Sequence, residues 1–307
     1  MADSPLLVTV PDARMRDLIG PVPEGVELVV WDMTGPAPAD EIGIVVLHYF
    51  GAPVGALEHL RDVRVGLVQG QAIGYEYVVD QLPPGHVFAN AATVHESGAA
   101  EHALALTLAS RRMLPEFLRG PAGQWPEFAA GPGLIDARVL LLGYGGINQR
   151  VEDRLGGFEC EVVRVASTAR ETPRGHVHGV DELPALLPGI DVVIAALPHT
   201  PATDGLIDRA FLAALPDGAV VVNIARGRIA DTNAILAEAG RLRFALDVTE
   251  PEPLPEGHPL LDHPAVIVTP HVASRTTGLS PRQAALVRTQ IGRVLAGEPP
   301  INVVHRT

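Results

Sequence analysis

The sequence predicts an α/β protein built from two doubly wound parallel sheets that a long helix links. Short apolar strands alternate with helices over the first hundred residues, and the same alternation returns after residue 133. A third observation is an apolar run at residues 139–142 that breaks into a glycine turn and then becomes helical. A chain of 307 residues is long enough for two domains of roughly 100–200 residues, each with its own core.

The first hundred residues predict a mainly parallel sheet. The predicted strands are 6–10, 27–31, 43–47 and 63–69, and the predicted helices include 12–19 and 54–60. Residues 99–118 then predict one long helix, because Ala103, Leu106, Ala109 and Met113 recur at helical spacing. We expect this helix to link the two domains.

The rest of the chain predicts a second sheet and a return to the first domain. The predicted strands are 139–142, 161–165, 191–197, 219–224, 243–247 and 266–269, which suit a doubly wound sheet. A last helix over 280–296 and a strand over 301–304 complete the first domain. The expected domains are therefore 1–98 plus 275–307, and 99–274.

Composition excludes several classes of function. The chain is 47% hydrophobic with net charge −13, which indicates a globular protein and disfavours nucleic acid as a partner. No stretch approaches the roughly 18 apolar residues that span a bilayer, and no basic segment precedes an apolar one at the start, so we expect a cytoplasmic protein without a membrane partner. Cys160 is the only cysteine, which excludes an internal disulfide and cysteine-rich metal sites. All 23 basic side chains are arginine, which excludes Schiff-base catalysis and the lysine of a P-loop.

The glycine turn has the pattern of a nucleotide-binding site. It reads Gly143, Tyr144, Gly145, Gly146, Ile147 and Asn148. Gly143 ends the strand, Gly145 leaves room for a pyrophosphate, and the helix that opens near Ile147 directs free N–H groups at it. Asn148 takes the third small position of the motif and is bulkier than that position usually allows. Taken alone, the motif is also compatible with a glycine turn that binds nothing.

Five further motifs follow one another in a fixed order. They are the segments 97–106 (SGAAEHALAL), 197–203 (LPHTPAT), 222–227 (VNIARG), 246–254 (LDVTEPEPL) and 269–271 (TPH). With these motifs, the chain resembles the D-isomer-specific 2-hydroxyacid dehydrogenases over nearly its whole length. The resemblance implies two Rossmann-like or flavodoxin-like domains and a nicotinamide cofactor.

The resemblance also implies a catalytic triad. His271 would protonate the carbonyl oxygen of the substrate as hydride arrives, Glu252 would be its carboxylate partner, and Arg226 would bind the substrate carboxylate and keto oxygen. Each residue type suits its role, because imidazole exchanges protons near neutrality, a neighbouring carboxylate favours imidazolium, and guanidinium forms a planar fork. Taken separately, a histidine after a strand is more often structural, and an Arg-Gly pair is more often a surface turn.

Further cofactor and substrate contacts follow from the same resemblance. The predicted cofactor contacts beyond the glycine turn are Leu197, Pro198, Thr203, Ile224, Ala225 and Asp247. Asp247 would position the nicotinamide side of the site, with helix capping as the alternative. The loop 69–75 would offer N–H groups to the substrate carboxylate through Ala72, Ile73 and Gly74, of which Gly74 matches best. His48 and Tyr49 would shape the substrate pocket, with a packing role as the alternative.

The end of the second cofactor-domain strand predicts that NADP(H) is preferred and that NAD(H) is the alternative. Proteins that bind NAD place an acid roughly 20 residues past the glycine turn, and Ala166 stands there instead. Ser167, Thr168 and Arg170 can donate to a 2′-phosphate. The alternative is that Arg170 merely points into solvent.

Within the family, the residues favour a 2-ketoacid reductase of glyoxylate or hydroxypyruvate type. Formate-oxidising members lack a carboxylate like Glu252, phosphite-oxidising members have a lysine where Ile73 stands, and the chain ends without the regulatory extension of many phosphoglycerate dehydrogenases. The alternative is a non-enzymatic dinucleotide sensor like the C-terminal-binding-protein corepressors, which keep such a triad. The lack of terminal extensions or basic segments disfavours that alternative.

Two expectations concern assembly and metals. The resemblance implies a homodimer through the cofactor domain, with residues 115–125 near the contact. Phe117 and Trp125 are candidate interface aromatics, with core packing as the alternative. No metal site is predicted, because the remaining histidines, among them His176, His178, His258 and His263, show no coherent ligand spacing.

Overall fold

The computed structural model describes residues 5–49, 53–120 and 131–307. It divides the chain into two compact units, Met1–His95 with Thr276–Thr307, and Glu96–Arg275. Each unit has its own mainly parallel sheet, so the predicted fold class is confirmed. Among the described residues, no helix is long and apolar enough to cross a membrane.

The first unit contains a six-stranded sheet. Its strands are β1 (Leu6–Val10), β2 (Val26–Val30), β3 (Glu41–Val46), β4 (Arg64–Gln69), β5 (Val87–Ala89) and β14 (Val303–Arg306). Their order is β14-β5-β4-β3-β1-β2, and β14 alone runs antiparallel to its neighbour. Its helices are α1 (Ala13–Ile19), α2 (Glu76–Val79) and α10 (Leu279–Leu295). The predicted helix over 54–60 is a 3-10 helix, Ala56–Leu60.

The second unit contains an eight-stranded sheet. Its strands are β6 (Arg138–Leu142), β7 (Glu161–Ala166), β8 (Arg170–Thr172), β9 (Gly175–Gly179), β10 (Val192–Ala195), β11 (Val220–Asn223), β12 (Arg243–Leu246) and β13 (Val266–Val268). Their order is β13-β12-β11-β10-β6-β7-β9-β8. Its helices are α3 (Glu96–Arg111), α4 (Leu114–Arg119), α5 (Gly146–Leu155), α6 (Leu183–Leu186), α7 (Arg209–Ala214), α8 (Thr232–Glu238) and α9 (Pro259–Asp262).

The central strands of the second sheet are buried on both faces. Along β6, Leu140 and Leu142 join one apolar cluster, whereas Val139 and Leu141 join the other. Neither face is left to solvent, so the strand can be apolar at each position from Val139 to Leu142, as the sequence shows. The carboxyl ends of these parallel strands lie along one edge, and the loops that follow them carry the candidate site.

The predicted long helix over 99–118 is wrong as a single element. The structure has α3 and α4 instead, and Met113 between them has a left-handed backbone with φ of 56°. Pro115 explains the break. In a continuous helix its ring would clash with the carbonyl group of Arg111, and proline has no N–H to donate. The strands β5, β8 and β9 were not predicted, since they are short and β8 and β9 lack an apolar run.

Candidate active site

The glycine turn joins β6 to α5 in a conformation that requires glycine at its first position. Gly143 has φ of 87°, and a Cβ there would lie 2.5 Å from the Cβ of Leu197. At Gly145, by contrast, a Cβ would meet no atom within 4 Å, so there is room on that side of the turn. No side chain caps the start of α5 and its first turn holds no acid, which leaves its N–H groups and positive dipole end suited to an anion. The turn therefore fits the pyrophosphate of a dinucleotide.

Asn148 is fully buried and takes a structural role beneath the turn. Its Nδ2 donates to the carbonyl oxygens of Leu142 and Gly143, both at 3.1 Å, and of Ile194 at 3.2 Å. The amide thereby ties the ends of β6 and β10 to α5. The bulk of Asn148 is thus accommodated by hydrogen bonds to the strand ends.

Tyr144 contributes its backbone to the turn and its side chain to the core. The ring is only 4% exposed, and the hydroxyl donates to Glu152, which also pairs with Arg164. Burial raises the pKa of Tyr144. Burial also acts to raise the pKa of Glu152, but the hydrogen bonds from Arg164 and Tyr144 outweigh it and lower that pKa. This hydrogen-bonded network fixes the side chain of Tyr144 and so stabilises the glycine turn to which Tyr144 belongs.

The loop after β7 brings three donors beside the glycine turn. Ser167 and Thr168 are exposed, and Arg170 at the start of β8 reaches back to donate to the carbonyl oxygen of Tyr144 at 3.2 Å and of Thr168 at 3.4 Å. The guanidinium of Arg170 thus lies against the turn. No acid stands at the end of β7, where Ala166 is the last strand residue.

The other predicted cofactor contacts follow β10 and β11 along the same sheet edge. Leu197 and Pro198 open the loop after β10, and Thr203 closes it, donating to the carbonyl oxygen of Pro198 at 2.8 Å. Ile224 and Ala225 follow β11 and are buried. These five residues lie on the side of the sheet where the glycine turn begins.

His271 and Glu252 form a hydrogen-bonded pair. Nδ1 of His271 lies 2.6 Å from Oε1 of Glu252, with side chains 50% and 42% exposed. His271 follows β13, and Glu252 lies in the loop after β12, so adjacent strands deliver the two groups. The contact to Nδ1 leaves Nε2 as the ring nitrogen that can exchange a proton with a substrate.

The Arg226 segment contacts the loop that carries Glu252. A Cβ at Gly227 would lie 1.9 Å from the carbonyl oxygen of Thr249, so only glycine permits this approach. Asn223 braces the same turn by donating to the carbonyl oxygen of Arg226 at 3.0 Å and accepting from the N–H of Ala225 at 3.0 Å. The structure therefore brings the Arg226 segment and the Glu252 loop together in the second unit.

The loop that carries His271 is organised by the buried carboxylate of Asp247. Asp247 accepts from the hydroxyl of Thr269 at 2.6 Å, and from the N–H groups of Val272 at 2.9 Å and Ala273 at 2.8 Å. His102 on α3 lies 3.4 Å from the same carboxylate. These contacts hold the residues on both sides of His271, whose own φ is 50°.

The charge of Asp247 is stabilised by those donors. Burial acts to raise the pKa of Asp247, but the hydrogen bonds from His102, Thr269 and the two N–H groups outweigh it and hold that pKa below its usual range. The role of His102 was not predicted from the sequence, although His102 lies in the motif of the linking helix. A polar residue on the otherwise apolar face of α3 is the signal that could have indicated it.

The predicted substrate residues lie in the first unit, in the loops after β3 and β4. Tyr49 stacks on His95 with ring centroids 5.8 Å apart, and His48 precedes it. The carbonyl oxygens of Ala72 and Ile73 accept from the N–H of Ala91 at 2.9 Å and from Nδ2 of Asn90 at 2.8 Å.

Gln71, which departs from the small-residue pattern of this loop, also secures it. Its Nε2 donates to the carbonyl oxygen of Leu47 at 2.5 Å, and its own carbonyl oxygen contacts Nε2 of His95 at 2.7 Å. These contacts engage side chains and carbonyl oxygens and not the N–H groups of Ile73 and Gly74.

Comparison with known proteins finds similarity to dehydrogenases and reductases of 2-hydroxyacids. The family model for the NAD-binding domain of D-isomer-specific 2-hydroxyacid dehydrogenases matches residues 104–273. A D-3-phosphoglycerate dehydrogenase of Mycobacterium tuberculosis is 36% identical over 225 residues, which are 70% of this chain and 42% of that protein. The chain thus matches less than half the length of that relative.

Two other relatives match over more of their length. The human glyoxylate reductase/hydroxypyruvate reductase is 29% identical over 294 residues and 89% of each chain. A D-isomer-specific 2-hydroxyacid dehydrogenase of Xanthobacter autotrophicus, solved with NADPH and MES, superimposes with a TM-score of 0.80 at 27% identity over 98% of each chain.

Proposed function

Because this chain belongs to the D-isomer-specific 2-hydroxyacid dehydrogenases, we propose that it transfers a hydride between a nicotinamide dinucleotide and a small 2-ketoacid or D-2-hydroxyacid. The observation that carries the proposal is the 2.6 Å contact between His271 and Glu252 beside the Arg226 segment. A histidine, a carboxylate and an arginine at adjacent strand ends can bind a 2-ketoacid and protonate its carbonyl oxygen. The same resemblance supports a substrate of glyoxylate or hydroxypyruvate type.

We assign the proton transfer to Nε2 of His271. Glu252 accepts the hydrogen bond from Nδ1, which orients the ring and leaves Nε2 as the nitrogen that exchanges a proton with the substrate. In reduction the imidazolium donates its Nε2 proton to the carbonyl oxygen, and in oxidation the neutral ring removes the proton from the hydroxyl. The nicotinamide, when bound, supplies or accepts the hydride.

We assign substrate binding to Arg226 and to the loop after β4. The guanidinium of Arg226 fits both a carboxylate and a keto oxygen, because its donors lie in one plane. The N–H groups of Ile73 and Gly74 suit a substrate carboxylate, as the family resemblance implies. His48 and Tyr49 would contact the substrate side chain.

We infer a preference for NADP(H) over NAD(H) from the loop after β7. Ala166 stands where an acid would repel a 2′-phosphate. Beside the glycine turn, hydroxyl and guanidinium donors are offered by Ser167, Thr168 and Arg170. The Xanthobacter relative was solved with NADPH. A charge-assisted hydrogen bond from Arg170 would contribute about 1.5–3 kcal/mol toward that preference.

We also propose a homodimer formed through the second unit. Three apolar side chains of α4 are exposed, Leu114 at 45%, Phe117 at 43% and Leu118 at 83%. Neighbouring apolar side chains that remain in solvent are typical of a protein interface. Trp125, the other candidate interface aromatic, lies outside the described residues.

A panel of 2-ketoacids with NADPH and NADH, followed at the nicotinamide absorbance, tests the reaction. We expect reduction of at least one short 2-ketoacid, with a larger kcat/KM for NADPH. Tight NADPH binding without turnover of any ketoacid would overturn the enzyme assignment and favour a dinucleotide sensor.

A further inference from the structure

A cluster of imidazoles and carboxylates lies at the edge of the second sheet, away from His271. β8 and β9 form an antiparallel hairpin there, with Glu171 paired to His176. Alternate residues of a strand point to the same side, so His176 and His178 share one face, whereas Val177 between them is fully buried in the core. The buried Val177 anchors the strand and keeps both imidazoles on its outer side.

Glu182 completes the cluster from the turn that follows β9. Its Oε1 accepts from the N–H of Gly179 at 2.8 Å, and its Oε2 lies 2.7 Å from Nδ1 of His178. Metal-ligating atoms of His176, His178 and Glu182 all lie within 4.8 Å of one another. A tetrahedral zinc ion with bonds of about 2.0–2.1 Å needs ligand atoms about 3.4 Å apart. His176 is exposed and His178 and Glu182 are half-buried, so these side chains have room to rotate toward a common ion.

The electrostatics of the cluster favour a cation. Two carboxylates lie beside the two imidazoles, Glu171 at His176 and Glu182 at His178. Glu171 lies 2.6 Å from Nδ1 of His176, which leaves Nε2 as the nitrogen of that ring that the carboxylate does not engage. A carboxylate on one ring nitrogen is the arrangement that orients histidines for metal binding through the other.

The arginines of the hairpin do not compete for these carboxylates. Arg170 donates to the backbone near the glycine turn, and Arg174 pairs with Asp153 at 2.6 Å. The cluster therefore keeps two carboxylates and two imidazoles for a cation.

We propose that His176, His178 and Glu182 bind one divalent transition-metal ion of the zinc class, with Glu171 orienting His176. Zn²⁺ binds well to a set of two imidazoles and a carboxylate, whereas the harder ions Mg²⁺ and Ca²⁺ bind oxygen ligands. The ion would join β9 to the turn after it. The proposal does not depend on the assigned reaction.

Calorimetric titration of the full chain, free of any histidine tag and stripped with a chelator, with ZnCl₂ tests the site. We expect one Zn²⁺ per chain, and binding at least about tenfold weaker in His176→Ala and in His178→Ala. Glu171→Gln should weaken binding by about tenfold or more, the usual effect of removing a carboxylate that orients a ligand. MgCl₂ should give no comparable binding.

Two controls make the result specific. His199→Ala removes an imidazole that also pairs with a carboxylate, Asp204 at 2.7 Å, and should leave Zn²⁺ binding unchanged. His178→Gln replaces the imidazole with a side chain of similar size. Circular dichroism tests whether each variant is folded. Absence of stoichiometric Zn²⁺ binding in the wild type, or full binding in the folded double variant His176→Ala/His178→Ala, would overturn the proposal.

Discussion

His271 has a left-handed backbone, with φ of 50°, which few residues other than glycine adopt. Its N–H donates to the carbonyl oxygens of Asp247 at 2.9 Å and Thr269 at 3.0 Å, so the fold supports this conformation. Backbone strain of this kind concentrates at functional sites, because the surrounding structure must hold it. The imidazole is thereby directed to Glu252.

Replacing His271 by alanine should lower the rate of ketoacid reduction by on the order of 100-fold or more, since a positioned general acid contributes that much. Steady-state kinetics with NADPH measure the effect. The matched control is His59→Ala, an exposed histidine of the first unit, which should keep the wild-type rate. Near wild-type turnover by His271→Ala would contradict the assigned proton transfer.

Arg226→Lys should lower kcat/KM by roughly 10- to 100-fold, because one ammonium cannot reproduce a planar fork and a charge-assisted hydrogen bond contributes about 1.5–3 kcal/mol. The loss should appear mainly in KM for the ketoacid. Arg228→Lys changes the neighbouring exposed arginine and should leave both constants unchanged. An unchanged kcat/KM in Arg226→Lys would refute the binding role.

Asp247→Asn should destabilise the fold by about 1–3 kcal/mol, because an amide leaves buried donors of the His271 loop without an acceptor. The pKa of Asp247 is lowered in the folded state, so its contribution is present above the unfolded value near 3.9 and is lost as the pH falls through the folded value. Denaturant unfolding of both proteins should therefore give a difference that is constant above about pH 5 and shrinks under acid.

The same variant separates positioning from stability. A displaced His271 should lower kcat by on the order of 100-fold. Asp208→Asn is the control, because Asp208 caps α7 by accepting from the N–H of Phe211 at 2.8 Å and lies outside the candidate site. If Asp247→Asn lost stability but kept its kcat, its carboxylate would not position His271.

At the scale of elements, the loops after parallel strands carry the chemistry, and the loop between β7 and β8 is the one we expect to select the cofactor. Ala166→Asp should move the preference from NADPH toward NADH by about ten- to a hundredfold in kcat/KM, because an acid there repels a 2′-phosphate and accepts from ribose hydroxyls. Arg170→Gln should lower kcat/KM for NADPH and leave that for NADH nearly unchanged.

The control for this loop is Arg174→Gln, which removes an arginine of the same hairpin that pairs with Asp153. It should not change the ratio of the two kcat/KM values. A wild-type preference for NADH, or an Ala166→Asp variant that still favoured NADPH to the same degree, would contradict our interpretation of the strand end.

At the scale of the whole molecule, the proposed homodimer predicts a mass of twice 32.4 kDa by light scattering at micromolar concentration. Leu118→Glu should shift that mass toward 32.4 kDa, because Leu118 is 83% exposed on α4 and a charge there would be buried in the contact. Leu236→Glu, on an exposed position of α8, should leave the dimer intact. A wild-type mass of 32.4 kDa would refute the dimer.

The sequence alone determined the fold class, the alternation of strands and helices and the order of the motifs. Strands such as β6 carry an unbroken apolar run, here Val139 to Leu142, because both faces of the sheet are covered, and this run is a clear pattern. Gly143 was likewise predictable, since a left-handed turn after a buried strand requires glycine. The polar hairpin strands β8 and β9 left no such pattern, whereas Pro115 marks the break at Met113 in the sequence and the prediction of one long helix overlooked it.

The family resemblance predicts that Glu252 meets His271, whereas the geometry of that pair and the other contacts between polar groups were decided only by the tertiary structure. Glu252 and His271 are 19 positions apart in the chain, yet adjacent strands bring them to 2.6 Å. His102 reaches Asp247 from a helix more than a hundred residues away, and β9 and the turn after it gather His176, His178 and Glu182 within 4.8 Å. Hydrophobic periodicity records which face of an element is buried, whereas contacts between polar side chains depend on how strands are ordered and where loops end, which no local pattern encodes.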